Sequence, residues 1–321
     1  MRDSGRPPTD DVETDGGTAL GETRVDVEVF TPQSSYERLR ERLVDLGLGK
    51  VVVYGALAMF LVWTLFPVYW LVTASLKVRE ELLGFPPQWV PWGFHVENFA
   101  QLFAARPDFV QFFVNSMTVT AVTTVIATSV GAMAAYGFVT FEFPYDLDFH
   151  LPFYILSTRF MPPIATIIPL FVIFRDFGLV NSLRGLILVY TMFNIPFAVW
   201  MMKGFFEEVP NSIVESAMID GLTHTEAFVK IVIPLVKPGL IASAIFTVII
   251  TWNELLFAII LAQNAQATTV PVGLASFVTK YSVQWVNMSV AATIALVPVL
   301  VFAFVAREQL VQGFSMGAIE K

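Results

Sequence analysis

The chain has 321 residues, of which 55% are hydrophobic and only 14% are charged, and its mean hydropathy is +0.66. A soluble domain carries about 25% charged residues, so this composition predicts a membrane protein. The lack of cysteine excludes disulfides, thiolate metal sites and a cysteine nucleophile. The three histidines lie far apart without metal-ligand spacing, and we expect neither a metal nor another cofactor.

The N-terminal region differs in composition from the rest of the chain. The first 50 residues hold eleven acids and seven bases. Residues 1–33 show no hydrophobic periodicity, which predicts a disordered acidic tail. In residues 34–50 apolar side chains recur every three or four positions, which predicts an amphipathic helix on the membrane surface.

Six apolar stretches follow, and crossing a bilayer core takes roughly 17–25 residues each. We predict an all-α, polytopic membrane protein with six transmembrane helices within residues 51–306 and a cytoplasmic tail at 307–321. Prolines at 162 and 163 are expected to kink the third span. The spans are predicted at 51–76, 112–139, 151–174, 186–202, 239–261 and 290–306.

The distribution of basic residues predicts the orientation, because Lys and Arg accumulate in cytoplasmic loops. With both termini in the cytoplasm, the cytoplasmic segments hold twelve Lys and Arg and the outside segments hold six. We therefore expect a multi-pass protein of the cell (plasma or inner) membrane with both termini inside. The outside segment Phe85–Phe94, rich in proline and tryptophan, is expected to be irregular and to lie at the membrane interface.

The loop between the fourth and fifth spans contains helix-capping signals. Ser212 stands three residues before Glu215, and Thr223 stands three before Glu226, so two capping boxes are predicted. Gly221 falls between them, where a helix could end in a left-handed residue. The pattern predicts a helix, a glycine break and a second helix.

This loop, residues 207–238, resembles the EAA loop of permease subunits in binding-protein-dependent ABC importers. The family pattern is EAA, two residues, DG, and I-x-L-P about nine residues later. Ser216 here replaces an alanine and Ile233 replaces a leucine, which are both small changes. The matching residues are Glu215-Ser216-Ala217, Asp220-Gly221 and Ile231-Val232-Ile233-Pro234, with Pro238 closing the loop.

The resemblance covers about Leu48 to Lys321 and is strongest to the carbohydrate branch, in particular to the maltose-type subunit with six spans. It implies the type I ABC importer permease fold and sugar transport. Further matching features are Asn194-Ile195-Pro196-Phe197, Trp252-Asn253-Glu254, and the tail from Gln312-Gly313 to Gly317-Ala318.

The resemblance also implies that the first loop helix docks on a separate ATP-hydrolysing subunit, so that closure of the ATPase dimer moves the membrane helices. Glu215 would meet a basic group there, Ala217 would allow close approach, and Gly221 would set the angle between the helices. Asp220 and Pro234 would fix the shape of the loop. The predicted ATPase-coupling residues are Glu215, Ser216, Ala217, Asp220, Gly221, Ile233 and Pro234.

The chain shows no phosphate-binding loop, because Gly47-Leu48-Gly49-Lys50 continues with valine. The subunit is therefore expected to be non-catalytic. The expected partners are an ATPase dimer, a second permease subunit, an extracytoplasmic substrate-binding protein and membrane lipid, without nucleic acid.

Polar residues within the spans are candidates for the substrate path, although each could equally hydrogen-bond a neighbouring helix. Arg159 in the third span is expected to snorkel toward the interface and to lie too far from Glu254 for an ion pair. The candidates are Asn115, Ser116, Asn194, Asn253 and Glu254.

Other functions stay open. Within the same family, the solute could be an amino acid, a peptide or phosphate. An ion-driven secondary transporter would call for paired ionisable residues or a repeated half, and neither is visible. A membrane enzyme would need converging acid, base or metal-ligand residues, and the sparse histidines and missing HExxH motif argue against it.

Overall fold

The computed structural model describes the backbone of residues 48–316. The predicted acidic tail, nearly all of the predicted surface helix and the last five residues lie outside the described residues. By its contacts the chain divides into residues 1–63 and residues 64–321. Helix α1 (Leu48–Ser75) begins in the first unit and ends in the second.

The described residues form helices joined by loops, and their only β-type pairing is an isolated bridge between Val278 and Val283. The helices after α1 are α2 (Arg79–Leu83), α3 (Glu97–Ala105), α4 (Phe109–Thr140), α5 (Leu147–Ser157), α6 (Pro163–Asp176), α7 (Leu183–Glu207), α8 (Asn211–Ile219), α9 (His224–Ala227), α10 (Lys237–Trp252), α11 (Leu256–Leu261), α12 (Val270–Ala275) and α13 (Trp285–Met316). Short helical turns lie at Pro144–Asp146, Thr158–Phe160 and Ile233–Leu235.

Four of the described helices, α1, α4, α7 and α13, are each long and apolar enough to cross a membrane. Two bent pairs complete the set. One runs from Pro144 to Asp176 with a bend of 91°, and the other from His224 to Trp252 with a bend of 79°. With each pair counted once, the six spans and the all-α polytopic fold agree with the sequence prediction. In the second pair only α10 overlaps the predicted fifth span, and residues 224–235 belong to the predicted loop.

The third span differs from the single, kinked helix predicted at 151–174. It consists of α5 and α6, which meet at 91°. Pro162 has a non-helical ψ of 125° and Pro163 begins α6. Two consecutive prolines remove two backbone N–H donors and force the preceding residue out of helical geometry. The prolines therefore break the helix instead of merely kinking it.

The fifth span also differs from the prediction of one helix at 239–261. α10 ends at Trp252, and α11 begins at Leu256. The Glu254 carboxylate accepts hydrogen bonds from the backbone N–H groups of Phe257 (2.9 Å) and Ala258 (3.2 Å). These N–H groups belong to the first turn of α11, which has no intrahelical acceptors for them. Glu254 therefore caps a new helix at the break.

α4 and α7 form the most extensive helix contact among the described residues. A Cβ atom built on Gly131 would lie 2.5 Å from the Cβ of Ala198. Ala127, Ala135 and Ala198 are fully buried. Small side chains of this kind let helix backbones approach closely within a membrane. α10 packs on the same pair, with Gly239 against the ring of Phe205.

The proline- and tryptophan-rich segment between α2 and α3 contains no helix, as predicted. The ring of Trp89 lies 6.0 Å from that of Phe66 and 5.9 Å from that of Trp70. The fully buried Lys77 donates from Nζ to the carbonyl of Gln88 (2.5 Å) and lies 4.6 Å from the Trp70 ring. The segment is thereby held to the end of α1, and its position at a membrane interface stays a prediction.

Candidate functional site

The loop between α7 and α10 contains α8, whose start differs from the prediction. In a capping box the capping side chain belongs to the residue just before the first helical turn. That residue is Pro210, and in this described part of the loop no side chain caps α8. Ser212 is already the second residue of the helix. The predicted capping box between Ser212 and Glu215 is therefore wrong.

The end of α8 forms a Schellman motif around Gly221. Gly221 has a φ of +88°, which is left-handed. Its N–H donates to the carbonyl of Met218 (3.1 Å), and the N–H of Leu222 donates to the carbonyl of Ala217 (3.1 Å). These are the two bonds that define the motif. The predicted left-handed glycine break is confirmed.

The start of α9 carries the second predicted capping box, and it is confirmed. Thr223 Oγ1 accepts from the N–H of Glu226 (3.3 Å), and the Glu226 carboxylate accepts from the N–H of Thr223 (3.1 Å). Lys230 Nζ donates to Glu226 Oε1 (2.9 Å). The hydrogen bond from Lys230, together with those from Thr223, lowers the pKa of Glu226 to about 2.

An aromatic cluster connects α9 to the long helices. After α9 the chain makes a π-helical turn, Phe228–Val232. The ring of Phe228 lies 4.6 Å from that of Tyr136 on α4 and 6.1 Å from that of Phe206 on α7. Tyr136 and Phe206 also contact each other at 5.7 Å. We call Tyr136, Phe206 and Phe228 the aromatic joint.

The predicted coupling residues differ in exposure. Ala217 is 3% exposed, so its methyl group is covered by this chain, whereas its four polar or glycine neighbours in the motif are exposed. In the second half of the loop, Pro234 is exposed and Ile233 is partly buried. The exposed neighbours of Ala217 are Glu215, Ser216, Asp220 and Gly221.

Sequence reasoning missed Ile219, which is 86% exposed. It stands four residues after Glu215, and residues at this spacing share a face of a helix. The available signal was an apolar residue next to the DG pair on an otherwise polar face. The exposed part of α8 therefore combines the Glu215 carboxylate with the apolar side chains of Ile219 and Met218, the latter 37% exposed.

Comparison with known proteins identifies the family. Residues 127–316 match the family described as the binding-protein-dependent transport system inner membrane component. The chain belongs to this family. The permease is 33% identical over 279 residues to the trehalose transport system permease protein SugB of Mycobacterium tuberculosis, across 86% of this chain and 100% of that protein.

Two further likenesses agree with this assignment. The permease is 32% identical over 273 residues to the sulfoquinovosyl glycerol transport system permease protein SmoH of Agrobacterium fabrum, across 85% of this chain and 94% of that protein. A chain of the crystal structure of a bacterial ABC transporter involved in alginate import superposes with a TM-score of 0.68 at 19% identity, covering 86% of this chain and 98% of that one. At that identity the superposition shows the shared fold.

Two of the predicted path residues join α4 of the permease to the segment before α12. Asn115 is fully buried, and its Nδ2 donates to the carbonyl of Thr268 (2.9 Å) while its Oδ1 accepts from Gln111 (2.8 Å). Ser116 Oγ accepts from the N–H of Val270 (2.8 Å). Both side chains form hydrogen bonds with other residues of this chain, and their contact with substrate stays a prediction.

The other path candidates lie at two places near α10. Asn194 is buried, and its Nδ2 donates to the carbonyl of Tyr190 (2.8 Å) and to Thr251 Oγ1 (3.3 Å), which links α7 to α10. Asn253 and Glu254 lie in the break after α10, where Asn253 is exposed and Glu254 caps α11. Asn115 and Ser116 bind residues 268–270, whereas Asn194 and Glu254 bind α7, α10 and α11, and the role of all five candidates stays a prediction.

Arg159 occupies a different environment from the one expected. One guanidinium nitrogen donates to the backbone carbonyl of Phe193 on α7, so the side chain binds a neighbouring span. Among the ion pairs of the described residues, none joins Arg159 to Glu254, as the sequence predicted.

Proposed function

We propose that this permease is a subunit of an ATP-driven sugar importer, that it forms part of the translocation path, and that it couples to separate ATPase subunits through residues 209–238. The observation that supports this most is the construction of that loop. α8 exposes Glu215 and Ile219, ends at the Gly221 motif, and is followed by a capped helix that contacts α4 and α7.

The loop is built to move as one body. The Schellman bonds and the capping box satisfy the backbone groups at the junction of α8 and α9. Such a junction resists bending, because bending would leave these groups without partners. A displacement of α8 by an ATPase subunit would therefore pass through the aromatic joint to α4 and α7.

The proposed partners follow from the family, whose members depend on a binding protein. We infer two ATPase subunits in the cytoplasm, a second permease subunit beside this one, and a substrate-binding protein on the outside. Docking of α8 on a cytoplasmic ATPase puts the loop inside. An even number of spans then puts both termini in the cytoplasm, in agreement with the distribution of basic residues.

Sugar is the proposed substrate class because the relatives are named for trehalose and for sulfoquinovosyl glycerol. An amino acid, peptide or phosphate importer is the alternative within the family. An ion-driven transporter would leave the exposed face of α8 without a partner.

Affinity purification of the tagged permease in mild detergent, followed by mass spectrometry, tests the assignment. We expect an ATPase and a second multi-span subunit to copurify with the wild-type chain. Glu215→Lys reverses the charge of an exposed side chain and should remove the ATPase while keeping the second permease. Glu142→Lys makes the same change at another exposed acid, outside α8, and should keep both.

Purification of the wild-type chain without any ATPase would contradict the assignment. Equal loss of the ATPase from both variants would show that charge reversal acts unspecifically, and it would contradict the role of α8.

A further inference from the structure

A cavity of about 580 Å³ lies between α5 and α7, beside the start of the coupling loop. One side of it is apolar and consists of Phe149 and Phe153 on α5 and Trp200 on α7, which we call the aromatic wall. These side chains are 69%, 60% and 46% exposed, so the described chain covers each of them only in part. The cavity is therefore open at its side.

The rim of the cavity is charged. Lys203 and Glu207, one helical turn apart on α7, form an ion pair, and the ring of His150 on α5 lines the same cavity. The Lys203 side chain is 18% exposed and that of Glu207 is 53% exposed. We call His150, Lys203 and Glu207 the charged rim. It offers hydrogen-bond donors from two helices and one carboxylate.

The position of the cavity in the fold indicates that it faces the membrane interface. α5 begins at Leu147 and α7 ends at Glu207, so the rim lies where two spans leave the bilayer on the same side. Tryptophan and lysine are typical of this depth, where acyl chains give way to headgroups. An apolar wall below a charged rim matches the two ends of a phospholipid.

We propose that this cavity binds a phospholipid with a primary ammonium headgroup, as in phosphatidylethanolamine. The phosphate would accept hydrogen bonds from Lys203 and His150, and the ammonium would donate to Glu207. One acyl chain would lie along the aromatic wall. This inference does not depend on the proposed transport function.

The charge balance of the rim selects this headgroup. Glu207 would repel the single negative charge of an anionic phospholipid, and Glu208 follows it in the chain. The quaternary ammonium of phosphatidylcholine has no N–H and cannot donate to a carboxylate. Only a headgroup with both a phosphate and an N–H-bearing ammonium satisfies both members of the ion pair.

Gly204 gives a way to fill the cavity without disturbing the fold. It lines the cavity next to Lys203, near the end of α7. A Cβ atom built on it meets no atom within 4 Å. Gly204→Leu should therefore project into the space proposed for lipid. Gly137 on α4 also has nothing within 4 Å of its Cβ position and does not line the cavity, so Gly137→Leu is the matched control.

Native mass spectrometry of the permease with its copurifying subunits, in an equimolar mixture of phosphatidylethanolamine and phosphatidylcholine with the same acyl chains, tests the proposal. We expect the wild-type complex to bind phosphatidylethanolamine about tenfold better, the difference that one charge-assisted hydrogen bond provides. Gly204→Leu should lose this bound lipid, whereas Gly137→Leu should keep it.

Glu207→Gln tests the headgroup itself. It removes the acceptor charge and the repulsion together, so the preference over phosphatidylcholine should fall to near parity and phosphatidylglycerol should now bind. Equal binding of the two lipids by the wild-type complex would overturn the proposal. So would an unchanged preference in Glu207→Gln, or a wild-type complex without bound lipid because a companion subunit covers the cavity.

Discussion

Gly131 allows the close packing of α4 against α7. Its missing side chain leaves room for Ala198, whose Cβ would otherwise lie 2.5 Å away. Gly131→Val forces the two helices apart, and overpacking of this kind costs about 1–3 kcal/mol. We expect a lower thermal unfolding temperature for the detergent-purified complex. Gly137→Val on the same helix meets open space and should leave that temperature nearly unchanged; equal shifts in both variants would contradict the close contact.

At the scale of single residues, the sequence predicted what depends on local backbone chemistry. Gly221 and the box at Thr223 follow from rules that involve neighbouring residues alone. The same rule failed at Ser212, because the residue that precedes the helix is Pro210 and Ser212 already lies within the first turn. The burial of Ala217 could not be predicted, since it depends on how the loop folds against the spans.

The capping box of α9 is an element-scale feature with a measurable pH dependence. Thr223→Ala removes the cap, at a cost of about 1 kcal/mol to the helix. We expect faster amide hydrogen exchange in residues 224–227. Thr225→Ala, at an exposed threonine in the same helix that does not cap it, is the control and should exchange like the wild type.

The pH dependence follows from Glu226. Its pKa falls from the ordinary 4.5 to about 2 in the folded loop. A carboxyl group whose pKa is lowered on folding stabilises the folded loop at pH values above its ordinary pKa. This stabilisation is lost as the pH falls from about 4.5 to about 2. Exchange in wild-type residues 224–227 should therefore approach that of Glu226→Gln over this range, after correction for the intrinsic exchange rate. A constant difference between the two proteins would contradict the role of the carboxylate.

The break between α10 and α11 depends on Glu254. Glu254→Ala leaves the N–H groups of Phe257 and Ala258 without their acceptor, which costs about 1–3 kcal/mol. We expect a lower unfolding temperature, and a smaller decrease for Glu254→Gln, which keeps one acceptor oxygen. If Glu254→Ala unfolded like the wild type but abolished uptake, the residue would act on the substrate path and not as a cap.

At the scale of elements, hydropathy predicted six spans but not the breaks in two of them. The apolar content of 151–174 and 239–261 is the same for a straight and for a broken helix. Two consecutive prolines are a sequence signal that favours a break in the third span over a kink. The break at Glu254 could not, because a carboxylate within an apolar run signals a cap only once the fold puts it before a new helix.

For the whole molecule, the family pattern in the loop predicted the function class, and the fold brings the parts of that pattern together. Glu215, Gly221 and the aromatic joint form one path from an exposed helix to α4 and α7. The substrate path was not predictable to the same degree. Asn115 and Asn194 are used in contacts between segments of this chain, and a path shared with a second permease subunit depends on residues that this sequence does not contain.

Because the chain has no cysteine, single-cysteine variants react at one known position. Ser216 is exposed on α8, and Ser282 is exposed in the segment before α13. In native membranes we would treat Ser216→Cys and Ser282→Cys with a short bifunctional thiol-amine cross-linker and identify the attached subunit by mass spectrometry. We expect Ser216→Cys to link to an ATPase subunit and Ser282→Cys, on the opposite side of the membrane, not to do so. Linkage of the ATPase to Ser282→Cys, or its absence from Ser216→Cys, would contradict the coupling function of this loop.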